Sequence, residues 1–170
     1  MTLPRPVRIV ASGSDWGDDA VAWEVIAQLR RQVGERPDLE LFAVHGMEQI
    51  LGALDAHGTL IIVDAVSSGA PPGTIHCFDW PDRRLQPRRA GSTHGLDAGT
   101  VLDLAAVLGV LPARVIVFGI EAQCREAPTA ECATLSVPVR AAVPELVRRL
   151  VQEVASPPSL LKGCVAGLQP

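Results

Sequence analysis

The chain has 170 residues, 48% of them hydrophobic, and carries a formal net charge of −4. That length suits one domain with a single buried core, and the acidic balance disfavours nonspecific nucleic-acid binding. No apolar stretch approaches the roughly 20 residues a membrane-spanning helix needs, and the N-terminus lacks a charged region followed by an apolar core, so a cytoplasmic protein without membrane attachment is expected.

Residues 7–11 read as a buried strand that breaks into a loop carrying Asp15, Asp18 and Asp19. A first strand running into a first helix is where α/β proteins place ligand sites, usually for anions. Three aspartates invert that preference: the loop would repel a polyphosphate and attract a cation or a proton. Asp18 stands where a helix N-cap belongs, ahead of Ala22, Val25, Ile26 and Leu29 at helical spacing.

Residues 39–44 form a second strand, and residues 45–56 are short and helix-like, with Met47, Ile50, Leu51 and Leu54 on one side. Residues 59–65 are an uninterrupted apolar run containing one carboxylate, Asp64, the mark of a core strand. After a Ser/Gly/Pro link, residues 73–80 resume strand character. That link is too short for a crossover helix, so this strand should run antiparallel to its predecessor.

Residues 81–92 read as a polar loop. Residues 96–108 are helical, with Val101, Leu104, Ala105 and Leu108 sharing a face, and residues 114–120 form the last strand. Ser136 caps a final helix reaching about residue 154, which Pro144 should kink or restart. The order implies an α/β fold, a three-layer α/β/α sandwich on a mostly parallel sheet. One domain spans residues 1–155, and residues 156–170 read as a flexible tail.

The four cysteines, Cys77, Cys124, Cys132 and Cys164, lack zinc-site spacing. Buried or reduced structural thiols are the favoured reading, with a Cys124–Cys132 disulfide as the alternative. Of the histidines, His45, His57 and His76 read as structural.

Asp19, Asp64 and His94 fall at corresponding places in this scheme. If their strands are parallel neighbours, the carboxyl ends share one sheet edge, and two carboxylates and an imidazole converge. Such a mixed oxygen and nitrogen set suits zinc, nickel or manganese better than calcium. An ionised Asp64 ending a buried strand needs a partner in any case.

Several motifs occur in order: Gly13-Ser14-Asp15-Trp16-Gly17-Asp18-Asp19, Val63-Asp64-Ala65-Val66, Pro72-Gly73-Thr74, Ser92-Thr93-His94, Val117-Phe118-Gly119-Ile120-Glu121 and Leu135-Ser136-Val137-Pro138. Together they resemble the hydrogenase maturation endopeptidases, along residues 7–154. The resemblance implies a twisted five-stranded sheet with one antiparallel strand. It also implies a cytoplasmic enzyme that removes a C-terminal extension from the large-subunit precursor of a nickel–iron hydrogenase once nickel is inserted. Asp19, Asp64 and His94 then match the family's metal-contacting and catalytic residues. Nickel arrives with the precursor, and no tightly bound resting cofactor is expected. The sequence departs from the commoner pattern at Ser14, Ala22 and Gly95.

Three rival readings fit parts of the same pattern. One is a self-contained zinc-dependent hydrolase of small substrates; another is a noncatalytic module that checks metal insertion. A nucleotide-binding module comes last, because the acidic loop opposes it.

Overall fold

The apolar run around Asp64 becomes β3 (Thr59–Val66), the middle strand of the sheet in the computed structural model, which describes residues 6–82, 98–123 and 133–155. β1 (Val7–Ser12) and β5 (Arg114–Glu121) flank β3 in parallel. β2 (Leu39–Val44) lies parallel outside β1, and β4 (Ile75–Asp79) pairs antiparallel with β5. Among the described residues this makes one five-stranded sheet of order β2-β1-β3-β5-β4. The direction of β4 is the expected one, but β5 is inserted between it and β3.

Both sheet faces are covered, which explains why the central strands are apolar at consecutive positions. Ile9, Ala11, Ile61, Val63, Ile116 and Phe118 face α1 (Val21–Val33) and α3 (Val137–Ala155). Val10, Leu60, Ile62, Val115 and Val117 face α2 (Ala98–Val107) and a 3-10 turn at Met47–Ala53. The three-layer α/β/α architecture is therefore the expected one. No helix among the described residues is long and apolar enough to cross a membrane.

One local expectation holds and others do not. The short helix-like segment expected at residues 45–56 is a 3-10 turn, with Met47 and Ile50 buried and Leu51 and Leu54 packed against the same cluster. In α2 the buried residues are Val101, Leu102 and Ala105, while Leu104 and Leu108 are exposed. That helix is apolar nearly all round, so periodicity alone could not choose its inner face. Pro144 does not restart α3, which runs unbroken; Pro144 and Arg140 are exposed, so water can satisfy the carbonyl that proline leaves without a donor.

Asp18 does not cap α1, whose N-cap is Ala20 with no side-chain capping bond; a 3-10 turn at Gly17–Ala20 intervenes. Cys77 is disulfide-bonded rather than a reduced thiol. Cys124, Cys132 and Cys164, the tail and most of the polar loop at residues 81–92 lie outside the described residues.

Candidate functional site

Strands β1, β3 and β5 run parallel, so their carboxyl ends form one edge. Asp19 lies in the 3-10 turn that follows β1, and this turn packs against β3. Asp64 lies near the end of β3, with Gly119 of β5 directly opposite. Both aspartates are half-buried. The structure thus brings the elements bearing the two expected carboxylates to the same edge. His94 lies outside the described residues, within which no three His, Cys, Asp or Glu side chains form a group able to hold a metal.

Close backbone packing positions Asp19. A β-carbon at Gly13 would run into the Asp19 carbonyl oxygen, so only glycine lets the loop fold back so tightly. Beside it, the indole Nε1 of Trp23 donates to the Val44 carbonyl at 3.1 Å, tying α1 to the end of β2.

Two further carboxylates at this edge are engaged elsewhere. Asp18 is fully buried. Its Oδ1 accepts the Ser136 amide at 2.6 Å, and its Oδ2 accepts the Ser136 hydroxyl at 3.0 Å and the Gln123 amide at 2.8 Å. Asp18 therefore joins the first loop to the start of α3 and the end of β5. Ser136 does sit at the head of α3, as expected, but its hydroxyl donates to Asp18.

Glu121, only 2% exposed, closes β5 on the same face as Asp64. Its Oε1 accepts the amides of Ser68 and Gly69 at 2.7 and 2.9 Å, and its Oε2 accepts the Ser68 hydroxyl at 2.7 Å. His76 Nε2 lies 3.0 Å from Oε2. An ionised carboxylate can only accept, so that ring nitrogen carries the proton. Burial pushes the Glu121 carboxyl up, but bonds from Ser68, Gly69 and His76 outweigh it and leave the group below the usual glutamate range. Its backbone contributes as well: the Glu121 carbonyl accepts from Gly73, and the Glu121 amide donates to Thr74.

Glu121 thus fixes the whole link that follows Asp64. Glu121 carries the same sequence signal as Asp64, a carboxylate at the end of an apolar strand, and is a structural acid to which the motif containing it assigns no role. The chemistry divides accordingly. Buried Asp18 and Glu121 accept donors that organise loops, and Asp19 and Asp64 are half-buried at the same edge.

The family model described as HycI, hydrogenase maturation protease, matches residues 24–153. Asp64 and His94 fall inside that span, and Asp19 lies just ahead of it. No curated protein sequence matches the chain. Among solved structures, the chain is similar to the hydrogenase maturating endopeptidase HybD from E. coli. The identity is 20% and the TM-score 0.73, covering 88% of this chain and 92% of that one. It is also similar to the [NiFe] hydrogenase maturation protease HycI from Thermococcus kodakarensis KOD1, at 18% identity and a TM-score of 0.68, covering 91% and 96%. A solution structure of endopeptidase HycI from Escherichia coli gives 19% identity and a TM-score of 0.65, covering 96% and 99%. These structural likenesses establish the fold, and the family model covers most of the sequence. The chain belongs to the hydrogenase maturation protease family, whose members are peptidases.

Proposed function

We propose that this protein is a cytoplasmic endopeptidase that removes the C-terminal extension of a nickel–iron hydrogenase large-subunit precursor after nickel insertion. The observation that supports this most directly is the placement of Asp19 and Asp64, half-buried, on adjoining elements at the carboxyl edge of β1 and β3. With His94 they make the expected donor set for the metal that the precursor carries.

In this reading the deprotonated side chains of Asp19, Asp64 and His94 receive the substrate's nickel. Its capture fixes the scissile peptide beside a carboxylate, which acts as general base toward water. Orientation is the main gain, worth on the order of 7–11 kcal/mol in favourable cases. A precursor lacking nickel is not held, so its peptide persists. Asp18 takes no part as a second base, because its two oxygens already accept three hydrogen bonds.

The test is to mix the protein with nickel-loaded and nickel-free precursor and weigh the products. Loss of a C-terminal fragment from the loaded form alone is the expected result. Complex formation at unchanged precursor mass would favour the noncatalytic reading. Stoichiometric zinc in the purified protein, with cleavage of small substrates, would favour the self-contained hydrolase.

A further inference from the structure

The acidic loop contains a residue that neither its fold nor the proposed chemistry explains. Trp16 is 55% exposed, although the backbone around it is pinned. Its carbonyl accepts the Asp19 amide at 3.2 Å, and its amide lies 3.4 Å from the Ser14 hydroxyl. Gly17, the next residue, is buried at φ 53°, and Asp18 beyond it is locked to Ser136. The other two tryptophans pack against the core, Trp23 on the α1/α3 face and Trp80 on the opposite one. A rigid loop therefore holds one large aromatic ring out in water.

A second apolar side chain belongs to the same rim. Val137 is 83% exposed and directly follows Ser136, the residue that Asp18 holds. Asp18 thus ties together the two backbone segments from which Trp16 and Val137 project. Charge adds direction. The described loops at this edge, residues 13–20, 45–47, 67–74 and 122–123, contain no lysine or arginine. Exposed Asp15 adjoins Trp16, and half-buried Asp19 lies three residues on.

We infer that Trp16 is a specificity-determining anchor for the polypeptide substrate, seating a precursor segment that carries a basic side chain beside an apolar one. This rests on the proposed function, since it takes the precursor as the occupant. An indole offers large contact area at small entropic cost, and tryptophan is among the residues that dominate interface energetics. An arginine or lysine lying over the ring gains cation–π attraction while its charge faces Asp15. Val137 extends the apolar contact on the α3 side. Trp16 touches the substrate away from the reacting peptide, so its loss weakens capture and spares the chemical step.

The experiment measures binding and turnover separately, using labelled nickel-loaded precursor with the wild-type protein and with Trp16→Ala, Trp16→Phe and Asp15→Asn. Trp16→Ala should raise both Kd and KM about tenfold with kcat nearly unchanged, and Trp16→Phe should recover most of the loss. Asp15→Asn should weaken binding at low ionic strength and little at high salt. Circular dichroism and urea unfolding should match wild type, because the indole is not part of the core. If Trp16→Ala binds and processes the precursor as wild type does, the anchor is overturned while the peptidase reading stands. Failure of the wild-type protein to bind the precursor at all would overturn both. Binding without cleavage, weakened by Trp16→Ala, would keep the anchor and remove the peptidase reading.

Discussion

Asp18 and Ser136 lie 118 positions apart in the chain, yet the Asp18 carboxylate accepts both the amide and the hydroxyl of Ser136. A third bond, from the Gln123 amide, makes this aspartate the junction of three segments at the carboxyl edge. Asp18→Ala would leave those donors without their acceptor in a site closed to water. An unsatisfied buried donor costs about 1–3 kcal/mol; the Ser136 hydroxyl can turn away, so the two fixed amides imply a loss of roughly 2–6 kcal/mol. Urea unfolding measures it directly, and a variant within 0.5 kcal/mol of wild type would refute the junction's role. Asp18→Asn should fall between, because its amide nitrogen cannot accept from a donor that the carboxylate oxygen served.

Glu121 predicts a pH dependence whose sign follows from its lowered folded-state pKa. A carboxyl depressed below its ordinary value of 4.5 contributes stability that is present above that pH. The contribution disappears as pH falls through the lower, folded value. Wild type should therefore exceed Glu121→Gln in unfolding free energy at neutral pH, with the difference shrinking on acidification below about pH 4.5. A constant gap from neutral pH down to pH 3 would contradict the hydrogen-bonded carboxylate described for this group.

How much of this was legible beforehand depended on the range of each interaction. The strand around Asp64 announced itself because a strand buried on both faces must be apolar at successive positions. Ser136 was readable as a helix start, since capping chemistry lies within a few residues. The partner of Asp18 was not, because local pattern describes a cap equally well when the acceptor serves another helix far along the chain. Leu104 and Leu108 lie off the buried face because α2 offers apolar residues all round, and only its neighbours decide which turn inward. Glu121 escaped for a related reason: its burial depends on the Ser68-Gly69 link folding over it, a contact that no spacing encodes.

Gly13 tests whether backbone placement of Asp19 matters separately from stability. Alanine there would push its methyl group against the Asp19 carbonyl oxygen, and the obstacle is backbone rather than a flexible side chain. The loop must shift by a fraction of an ångström or more, carrying Asp19 with it. Misplacement on the scale of 1 Å can cost about 100-fold in rate. Gly13→Ala should therefore lose processing by roughly that factor, and the loss should not be repaired by lowering the temperature to stabilise the fold. Retention of wild-type kcat would show that Asp19 tolerates displacement, and so does not act at the reacting peptide.

Asp19 and Asp64 provide the most direct test of the proposed chemistry, because their positions separate structural from functional loss. Each is half-buried where Asp18 and Glu121 are buried, and isosteric substitution keeps their volume. Asp64 also faces Gly119 across the β3–β5 pairing, so no side chain at that position is strained by the change. Asp19→Asn and Asp64→Asn should reduce processing of nickel-loaded precursor by about 10²–10⁴-fold, the usual range for losing a general base, while urea midpoints move little. Asp18→Asn should show the opposite pattern, with lowered stability and activity that recovers in proportion to the folded fraction. If Asp64→Asn cleaved at the wild-type rate, the carboxylate would be a strand-end acid of no chemical consequence. The general base would then have to be sought at Asp19 alone.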